Sequence, residues 1–561
     1  MSTYYLGLSV SGHDPAFALV DAAGRLLFAE ATERYIQDKR AWGVPPDHYG
    51  HLAEALARHC PDLTNLVVAT SWARPKPESD PVGASESGGG LMDPATARWL
   101  REHQRRAFLY AGHNLSLIAP GVPIEMRHYD HHLCHAAYAC ASSPFEDAQC
   151  VVIDGEGEVG SVSVCTMQGR ELSRRWRSWG PGSLGAFYAF LTLNCGFDWR
   201  VGEEWKTMGL AAFGKADPNA VAMLSRLVTL DRGRPRAADL HVWDEVAAEL
   251  APWRRAPGEE VLKGADLAAS GQAIYASLAD GILEAAGLDA GNNLILSGGC
   301  ALNCAYNGTI RDRFGLGAVH VPPAPADDGN AAGSALLAWQ QDNPGPLPTG
   351  WDSPYLGSEP SSRSLATIVG RGGLGPVAQL AAGDTSRLAA MLVEGKIIGV
   401  MRGCAEYGPR ALGNRSILAD PRPAGMKDRI NKRVKGREPY RPFAPIVAEA
   451  AVDHWFENGS PSPYMSFTQR WRTSGAERVP AVVHEDGTGR VQTLAPGANP
   501  WLSQLLADFG AVTDIPILLN TSLNVMGKPI AHSVEDAITI LATTGLDALL
   551  VEDVLIEKPA P

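Results

Sequence analysis

Three residues in one short stretch have the types and spacing of a metal site. Residues 130–158 read DHHLCHAAYACASSPFEDAQCVVIDGEGE. Asp130 is a good helix N-cap, and the alanine-rich run behind it predicts a helix. His131 and His135 then lie one turn apart on a single face. An apolar strand, Cys150 to Ile153, follows and ends on Asp154 and a glycine-rich turn. Two imidazoles and a carboxylate gathered this way make a facial N,N,O set for a divalent transition metal. Histidines four apart are also commonly a solvated pair, so the motif needs support from the elements around it.

Those elements repeat. Residues 150–176 run strand, acidic turn, strand, the turn Gln168-Gly169-Arg170, strand. Residues 4–30 have the same order: an apolar strand, the loop SGHDP with His13 and Asp14, a strand, the turn Asp21-Ala22-Ala23-Gly24, and a third strand. A duplicated three-stranded meander followed by helices predicts an α/β domain with the actin-like, sugar-kinase-like (HSP70-type) fold, its two acidic loops facing each other. Later segments suit such a domain. SWGPGSLGAFYAFLT (178–192) is a glycine-rich turn entering a helix. LILSGGCALNCAYNGTI (294–310) is a strand, a double glycine and a helix; there Gly298 and Gly299 admit close backbone approach, and Asn303 can hydrogen-bond a nucleotide. PPAPADDG places Asp327 at a helix start, as a second carboxylate or as an N-cap.

Length and composition bound the rest. The chain has 561 residues, 45% hydrophobic and 20% charged, enough for more than one domain. Residues 346–375 are dense in Pro, Gly and Ser and predict a linker between a first domain, 1–345, and a second α/β domain, 376–561. There the reading is a helix over 386–395, a strand over 396–403 and a single strand over 547–557. Residues 74–94 read as a flexible surface loop over a substrate site. The net charge of −13 disfavours a nucleic-acid partner. Nine scattered cysteines without a CxxC pair predict reduced thiols and a cytoplasmic protein, and neither a signal peptide nor an apolar run of membrane-spanning length is evident.

The net-acidic chain concentrates its base late. GPRALGNRS (408–416) carries Arg410 and Arg415. RINKRVKGREPYRPFAP (429–445) carries Lys432, Arg433, Lys435, Arg437 and Arg441. Arg490, Asn520 and Ser522 follow. These residues are interleaved with Gly, Pro and aromatics rather than forming a helical stripe. Arg forks and Lys point charges beside Ser and Asn donors suit a small phosphorylated anion.

Together HxxxH with Asp154, GGCALN, PPAPADDG, EYGPRALGNRSILADPR, VKGREPYRPFAP and LNTSLN resemble the O-carbamoyltransferase family of nodulation and antibiotic biosynthesis, the NodU/CmcH type, over nearly the whole chain. The family is similar to a fusion of an actin-like transferase domain with a YrdC-like adenylating domain. The resemblance implies ATP and carbamoyl phosphate as co-substrates, Mg for adenylation, and a carbamoyl adenylate passed to a hydroxyl of a small natural-product acceptor. It implies metal ligands His131, His135, Asp154 and Asp327, with Fe(II) expected. It implies a carbamoyl-phosphate and ATP cradle of Arg410, Arg415, Lys435, Arg441, Arg490, Asn520 and Ser522. It further implies an adenylate pocket involving Lys39, Gly185, Lys206, Gly298, Gly299, Asn303 and Asn307. His13 is the candidate general base, with Asp14 orienting it and Lys39 and Lys435 as catalytic cations. A homodimer is compatible with the sequence, and no membrane or nucleic-acid partner is expected. The competing readings are a tRNA threonylcarbamoyl transferase, a sugar- or acetate-kinase-like phosphotransferase and a non-catalytic nucleotide-binding regulator.

Overall fold

The computed structural model describes residues 2–75, 94–256 and 258–559. The chain forms two compact units. One comprises residues 1–33 and 39–352; the other comprises 34–38 and 353–561.

The first unit is built on a repeat. Strands β1 (Ser2–Leu8), β2 (Ala16–Val20), β3 (Leu26–Ala31), β4 (Leu63–Thr70) and β5 (Ile124–His128) form a sheet of order β3-β2-β1-β4-β5. The pairs β1–β2 and β2–β3 are antiparallel, and β1–β4 and β4–β5 are parallel. Then come β6 (Ala148–Ile153), β7 (Val162–Gln168), β8 (Glu171–Arg177), the small hairpin β9 (Val228–Asp231) and β10 (Arg234–Ala237), β11 (Asn293–Ser297) and β12 (Ala318–His320). The second sheet has the order β12-β11-β6-β7-β8, with antiparallel β6–β7 and β7–β8 and parallel β6–β11 and β11–β12. Strand for strand this is the same sheet, so the duplication anticipated from the two meanders is real in the fold.

Apolar residues of the first sheet, among them Leu6, Leu8, Phe17, Leu66 and Val68, pack under the helix Tyr49–His59. The long helix Asn330–Asp342 packs against the helix His131–Ala141. The two backbones meet at Gly333, where a Cβ would fall 2.0 Å from the Cys134 carbonyl oxygen. This contact brings the turn carrying Asp327 up to the histidine helix. Arg170, in the turn Gln168-Gly169-Arg170, is buried and donates to the backbone carbonyls of Ser143, Phe145 and Leu347, among others.

The second unit is one mixed sheet with helices on both faces. Its strands are β13 (Val377–Gln379), β14 (Ile398–Met401), β15 (Arg415–Ala419), β16 (Ala444–Ala448), the separate pair β17 (Thr468–Arg470) and β18 (Thr488–Arg490), β19 (Gln492–Leu494), β20 (Ile517–Ser522), β21 (Ala548–Val551) and β22 (Val554–Glu557). The main order is β13-β22-β21-β14-β15-β20-β16-β19. Neighbouring residues alternate between two apolar cores. Met401, Ile417, Val447 and Leu549 enter one; Val400, Leu418, Ile446 and Leu550 enter the other. The segment 34–38 also belongs here: Arg34 donates to the Gly408 carbonyl, and Gln37 Nε2 donates to the Ile530 carbonyl at 3.1 Å.

Two local expectations change. Residues 547–557 are a hairpin, with β21 and β22 antiparallel and Glu552 at φ 49° in the turn. The apolar alternation runs through the turn and hides it from a pattern reading. Residues 346–375 are not simply a linker either. Trp351 is buried in the first unit, donating to the Gly24 carbonyl, and Ser362–Arg371 is a helix capped by Ser361. Of the surface loop expected over 74–94, residues 76–93 lie outside the described residues. No described helix is long and apolar enough to cross a membrane.

Candidate functional site

In the first unit, Asp130 caps its helix as expected, accepting from Leu133 N at 3.0 Å. Glu158 reaches the same end and accepts from the His131 amide at 3.0 Å. The helix therefore starts at a fixed point, with both histidines on one inward face. His131 Nε2 is 3.1 Å from Asp154 Oδ2 and 3.4 Å from Asp327 Oδ1. His135 Nε2 is 3.4 Å from Asp154 Oδ2 and 3.3 Å from Asp327 Oδ1. All four side chains are buried, and one ligand atom from each lies within 4.8 Å of the others. His132, between them in sequence, turns away to Ser163 Oγ at 3.1 Å.

The electrostatics of this cluster favour added positive charge. Burial pulls the His131 imidazole down, but the Asp327 and Asp154 carboxylates more than offset it and hold His131 well above its ordinary value. Burial and Asp327 push Asp154 up, yet its hydrogen bonds to the two histidines hold it far below the usual carboxylate range. Two buried carboxylates and two imidazole nitrogens facing one point fit a divalent transition metal, for which imidazole and carboxylate are suitable ligands. The outer contacts fix the donors. His131 Nδ1 lies 3.3 Å from the Ser71 carbonyl, which leaves Nε2 to face the cluster, and Asp154 Oδ1 accepts from Gly299 N at 2.9 Å, which aims Oδ2 at the histidines.

Next to this cluster stands a second triad. His13 Nε2 points toward Asp327 Oδ2 at 3.7 Å, and His13 Nδ1 is 2.8 Å from Asp14 Oδ2. Arg40 Nη1 is 3.2 Å from the same carboxylate, and Arg40 Nη2 is 3.0 Å from Glu204. Burial alone would raise Asp14; Arg40 and the His13 hydrogen bond lower it, so it stays ionised. His13 and Asp14 are thus brought to the cluster as expected. The cation beside them is Arg40, not Lys39, which is half-buried one residue earlier. In the pair Lys39-Arg40 the sequence offers no sign of which side chain turns inward.

The expected nucleotide residues divide. Gly298 (φ 89°) and Gly299 form the turn after β11; a Cβ on Gly298 would fall 2.3 Å from the Ile153 carbonyl oxygen. Gly185 lies at the start of the helix Leu184–Asn194, where a Cβ would meet Gly155 Cα at 2.6 Å, so its size serves packing against the Asp154 turn. Asn303, expected to hydrogen-bond a nucleotide, caps its helix, accepting from Tyr306 N, and exchanges hydrogen bonds with Gln272. Asn307 is buried and donates to the Ala301 carbonyl. Lys206 is buried against Glu203 at 2.6 Å and lies 5.4 Å from the Phe197 ring centre. All three make their contacts to other residues of the first unit.

In the second unit, Glu406 organises the GPRALGNRS loop. It is buried, and its Oε1 accepts from the amides of Leu412, Asn414 and Arg415. Arg415, expected in the anion cradle, is fully buried and donates to the carbonyls of Arg402, Asn414, Ser358 and Gly403. Its charge is absorbed by the loop it holds, so it is scaffold. Asn520 is buried and donates to the Ala411 carbonyl and Gln492 Oε1. Lys435 donates to the Ser522 carbonyl and to Asn524 Oδ1 at 2.7 Å, and Ser522 Oγ donates to the same Asn524 oxygen. Lys435 therefore ties down the loop 522–524. Arg410 is half-buried beside Pro409.

Arg437, Arg441 and Arg490 behave differently from Arg415. Burial, then Arg441 and Arg490, hold the Arg437 guanidinium well below its ordinary value. Glu438, 3.5 Å from Arg441, opposes the repulsion without cancelling it. Arg490 Nε has no hydrogen-bond partner, and the neighbouring His484, pushed down to about 4 mainly by burial, adds no positive charge at neutral pH. Crowded guanidiniums that repel one another are a site for an anion. In the sequence Arg437 is one cation of a basic run; its closeness to Arg441 and Arg490 depends on side-chain direction.

Known proteins resemble this chain in sequence. Two family models match: Carbamoyltransferase N-terminus over residues 122–336 and Carbamoyltransferase C-terminus over 389–558. Nodulation protein NolO of Bradyrhizobium diazoefficiens is 36% identical over 446 residues, covering 76% of this chain and 79% of NolO. Nodulation protein U of Sinorhizobium fredii is 31% identical over 561 residues, covering 92% of this chain and 93% of that protein. Among solved structures, component A of (R)-2-hydroxyglutaryl-CoA dehydratase from Acidaminococcus fermentans covers 61% of this chain and 99% of its own, with 13% identity and a TM-score of 0.34. With its buried histidine–carboxylate cluster in one unit, its crowded guanidiniums in the other and relatives spanning both, the chain belongs to the carbamoyltransferase family.

Proposed function

We propose that the chain is an ATP-dependent O-carbamoyltransferase that works in two stages, with a hydroxylated small molecule as acceptor. In the first stage water displaces phosphate from carbamoyl phosphate, leaving carbamate. A carbamate oxygen then attacks the α-phosphorus of ATP, pyrophosphate leaves with Mg, and carbamoyl adenylate remains. In the second stage the acceptor oxygen attacks the carbamoyl carbon and AMP leaves.

The observation that carries this reading is the crowding of Arg437, Arg441 and Arg490, which the single carboxylate of Glu438 offsets only in part. Such a cradle gains most when a polyphosphate enters and charge builds on its oxygens. Lys435 and Ser522 hold the loop 522–524 of the same unit. We read this unit as the YrdC-like half of the family.

The first unit is then the transfer site. His13 Nε2 takes the acceptor hydroxyl proton, while Asp14 accepts from Nδ1 and stabilises the imidazolium, and Arg40 keeps Asp14 ionised. Gly298 and Gly299 let the adenylate approach the backbone. His131, His135, Asp154 and Asp327 would hold a divalent ion, Fe(II) by family resemblance, which supplies a Lewis acid for the carbamoyl oxygen.

The test is product identity. Purified enzyme with ATP, Mg and carbamoyl phosphate should release AMP and pyrophosphate, and release should stop when carbamoyl phosphate is omitted. Formation of ADP with a phosphorylated acceptor would replace this reading with the kinase one.

A further inference from the structure

Behind the histidine–carboxylate cluster lies a buried amide with one polar atom unanswered. Asn330 opens the helix Asn330–Asp342 and is fully buried. Its Nδ2 lies 3.2 Å from His131 Nδ1, while His131 Nε2 faces Asp154 and Asp327. Its Oδ1 is buried and has no hydrogen-bond partner among the described residues. An amide oxygen left in this way costs free energy, so its presence beside a metal-ligand candidate calls for a reason.

The fold fixes Asn330 in that place. Asp327 starts the short turn Asp327–Gly329, and Asn330 and Gly333 follow it at intervals of about one turn, on one side. The close backbone approach at Gly333 holds this side against the histidine helix. His131 is fixed from other directions as well. The Ser71 carbonyl lies 3.3 Å from Nδ1, and the buried Trp72 ring lies 4.8 Å from the imidazole, centre to centre. With the ring held, what can still change is which nitrogen carries the hydrogen.

That choice decides whether Nε2 can bind a metal. An imidazole that coordinates through Nε2 carries its hydrogen on Nδ1. With Nδ2 toward the ring, Asn330 donates to Nδ1 and favours the other tautomer, whose hydrogen sits on Nε2 between the carboxylates. Half a turn of the amide about its terminal bond puts Oδ1 in the place of Nδ2. There it accepts from Nδ1–H beside the Ser71 carbonyl. No hydrogen bond holds the amide oxygen on its far side, so the turn breaks none there. The direction of the amide therefore follows the hydrogen of His131.

We infer that Asn330 is a positioning residue for the metal: its amide turns to accept from His131 Nδ1–H and so commits the Nε2 lone pair to the ion. This rests on the reading of His131, His135, Asp154 and Asp327 as metal ligands. Asn330 acts through His131 and is not a ligand itself.

The test is the Co(II) affinity of the full-length protein, stripped of metal and titrated in competition with a colorimetric chelator, with the visible absorption of bound Co(II) as the direct signal. The wild type should bind Co(II), and Asp154→Ala should lose most of that affinity. Asn330→Leu, of similar size but with no acceptor, should bind about tenfold more weakly, the low end for an outer partner because the Ser71 carbonyl still accepts. Asn330→Asp, whose carboxylate only accepts, should bind at least as tightly as wild type. Thermal unfolding of the stripped proteins is the control: a purely structural Asn330 would let both substitutions shift unfolding without separating their Co(II) affinities. Affinity within twofold of wild type in Asn330→Leu, or Asn330→Asp as weak as Asn330→Leu, would overturn the inference. Should Asn330→Leu not fold, Asn330→Ser, too short to reach Nδ1, takes its place under the same criteria. Asp154→Ala separates the two claims. If the wild type binds no Co(II), or Asp154→Ala binds it equally well, the metal reading fails and this inference with it; if that control behaves as expected, only the role of Asn330 is at stake.

Discussion

The two units carry buried charge of opposite sign, and each leaves part of it unsatisfied. In the first, Asp154 and Asp327 converge on two imidazoles and favour a cation. In the second, Arg437, Arg441 and Arg490 converge and favour an anion. The contrast within the second unit is more instructive. Arg415 and Arg490 each have an Nε without a hydrogen-bond partner, yet Arg415 donates through Nη1 and Nη2 to four backbone carbonyls, whereas Arg490 stands with Arg437 and Arg441. A satisfied buried charge is scaffold and an unsatisfied one is a site, because an unpaired buried group costs free energy until a ligand meets it.

The sharpest way to break this comparison is to delete the satisfied charge. Arg415→Ala leaves buried carbonyls without donors and should destabilise the second unit by about 4 kcal/mol, measured by denaturant unfolding. Unchanged stability would mean that Arg415 is not scaffold. Gly298→Ala should cost roughly 3 kcal/mol in the first unit, from its positive φ and the clash with the Ile153 carbonyl. Arg490→Gln should act in the opposite way, with little loss of stability and carbamoyl-phosphate-dependent pyrophosphate release down about 100-fold, or roughly 2.7 kcal/mol in the barrier. The smallest effect belongs to Asn303→Ala, which removes a helix cap and should cost about 1 kcal/mol in thermal unfolding. A loss of nucleotide affinity far beyond that would return Asn303 to the ligand-binding set.

The parts legible in the sequence were those with a period or a fixed spacing. The two meanders repeat because strand alternation and turn residues repeat, and the structure has the same strand order in both sheets. His131 and His135 were legible because a helix turn brings them together, and Asp154 because it ends a strand. What remained hidden depends on side-chain direction. Lys39 and Arg40 are adjacent cations, and only the fold turns Arg40 to Asp14. Arg415, Asn303 and Asn520 have the chemistry of ligand contacts but spend it on their own loops and helix.

The central claim is that the anion cradle and the histidine–carboxylate cluster perform separate stages. It is tested most directly by Asp327→Ala, assayed for carbamoyl-phosphate-dependent exchange of labelled pyrophosphate into ATP and, separately, for carbamoyl transfer from supplied carbamoyl adenylate. Exchange should remain within about twofold of wild type while transfer falls at least 100-fold, since losing even an outer partner of a metal ligand costs up to that much. Loss of exchange in a folded Asp327→Ala protein, or transfer at the wild-type rate, would contradict the account.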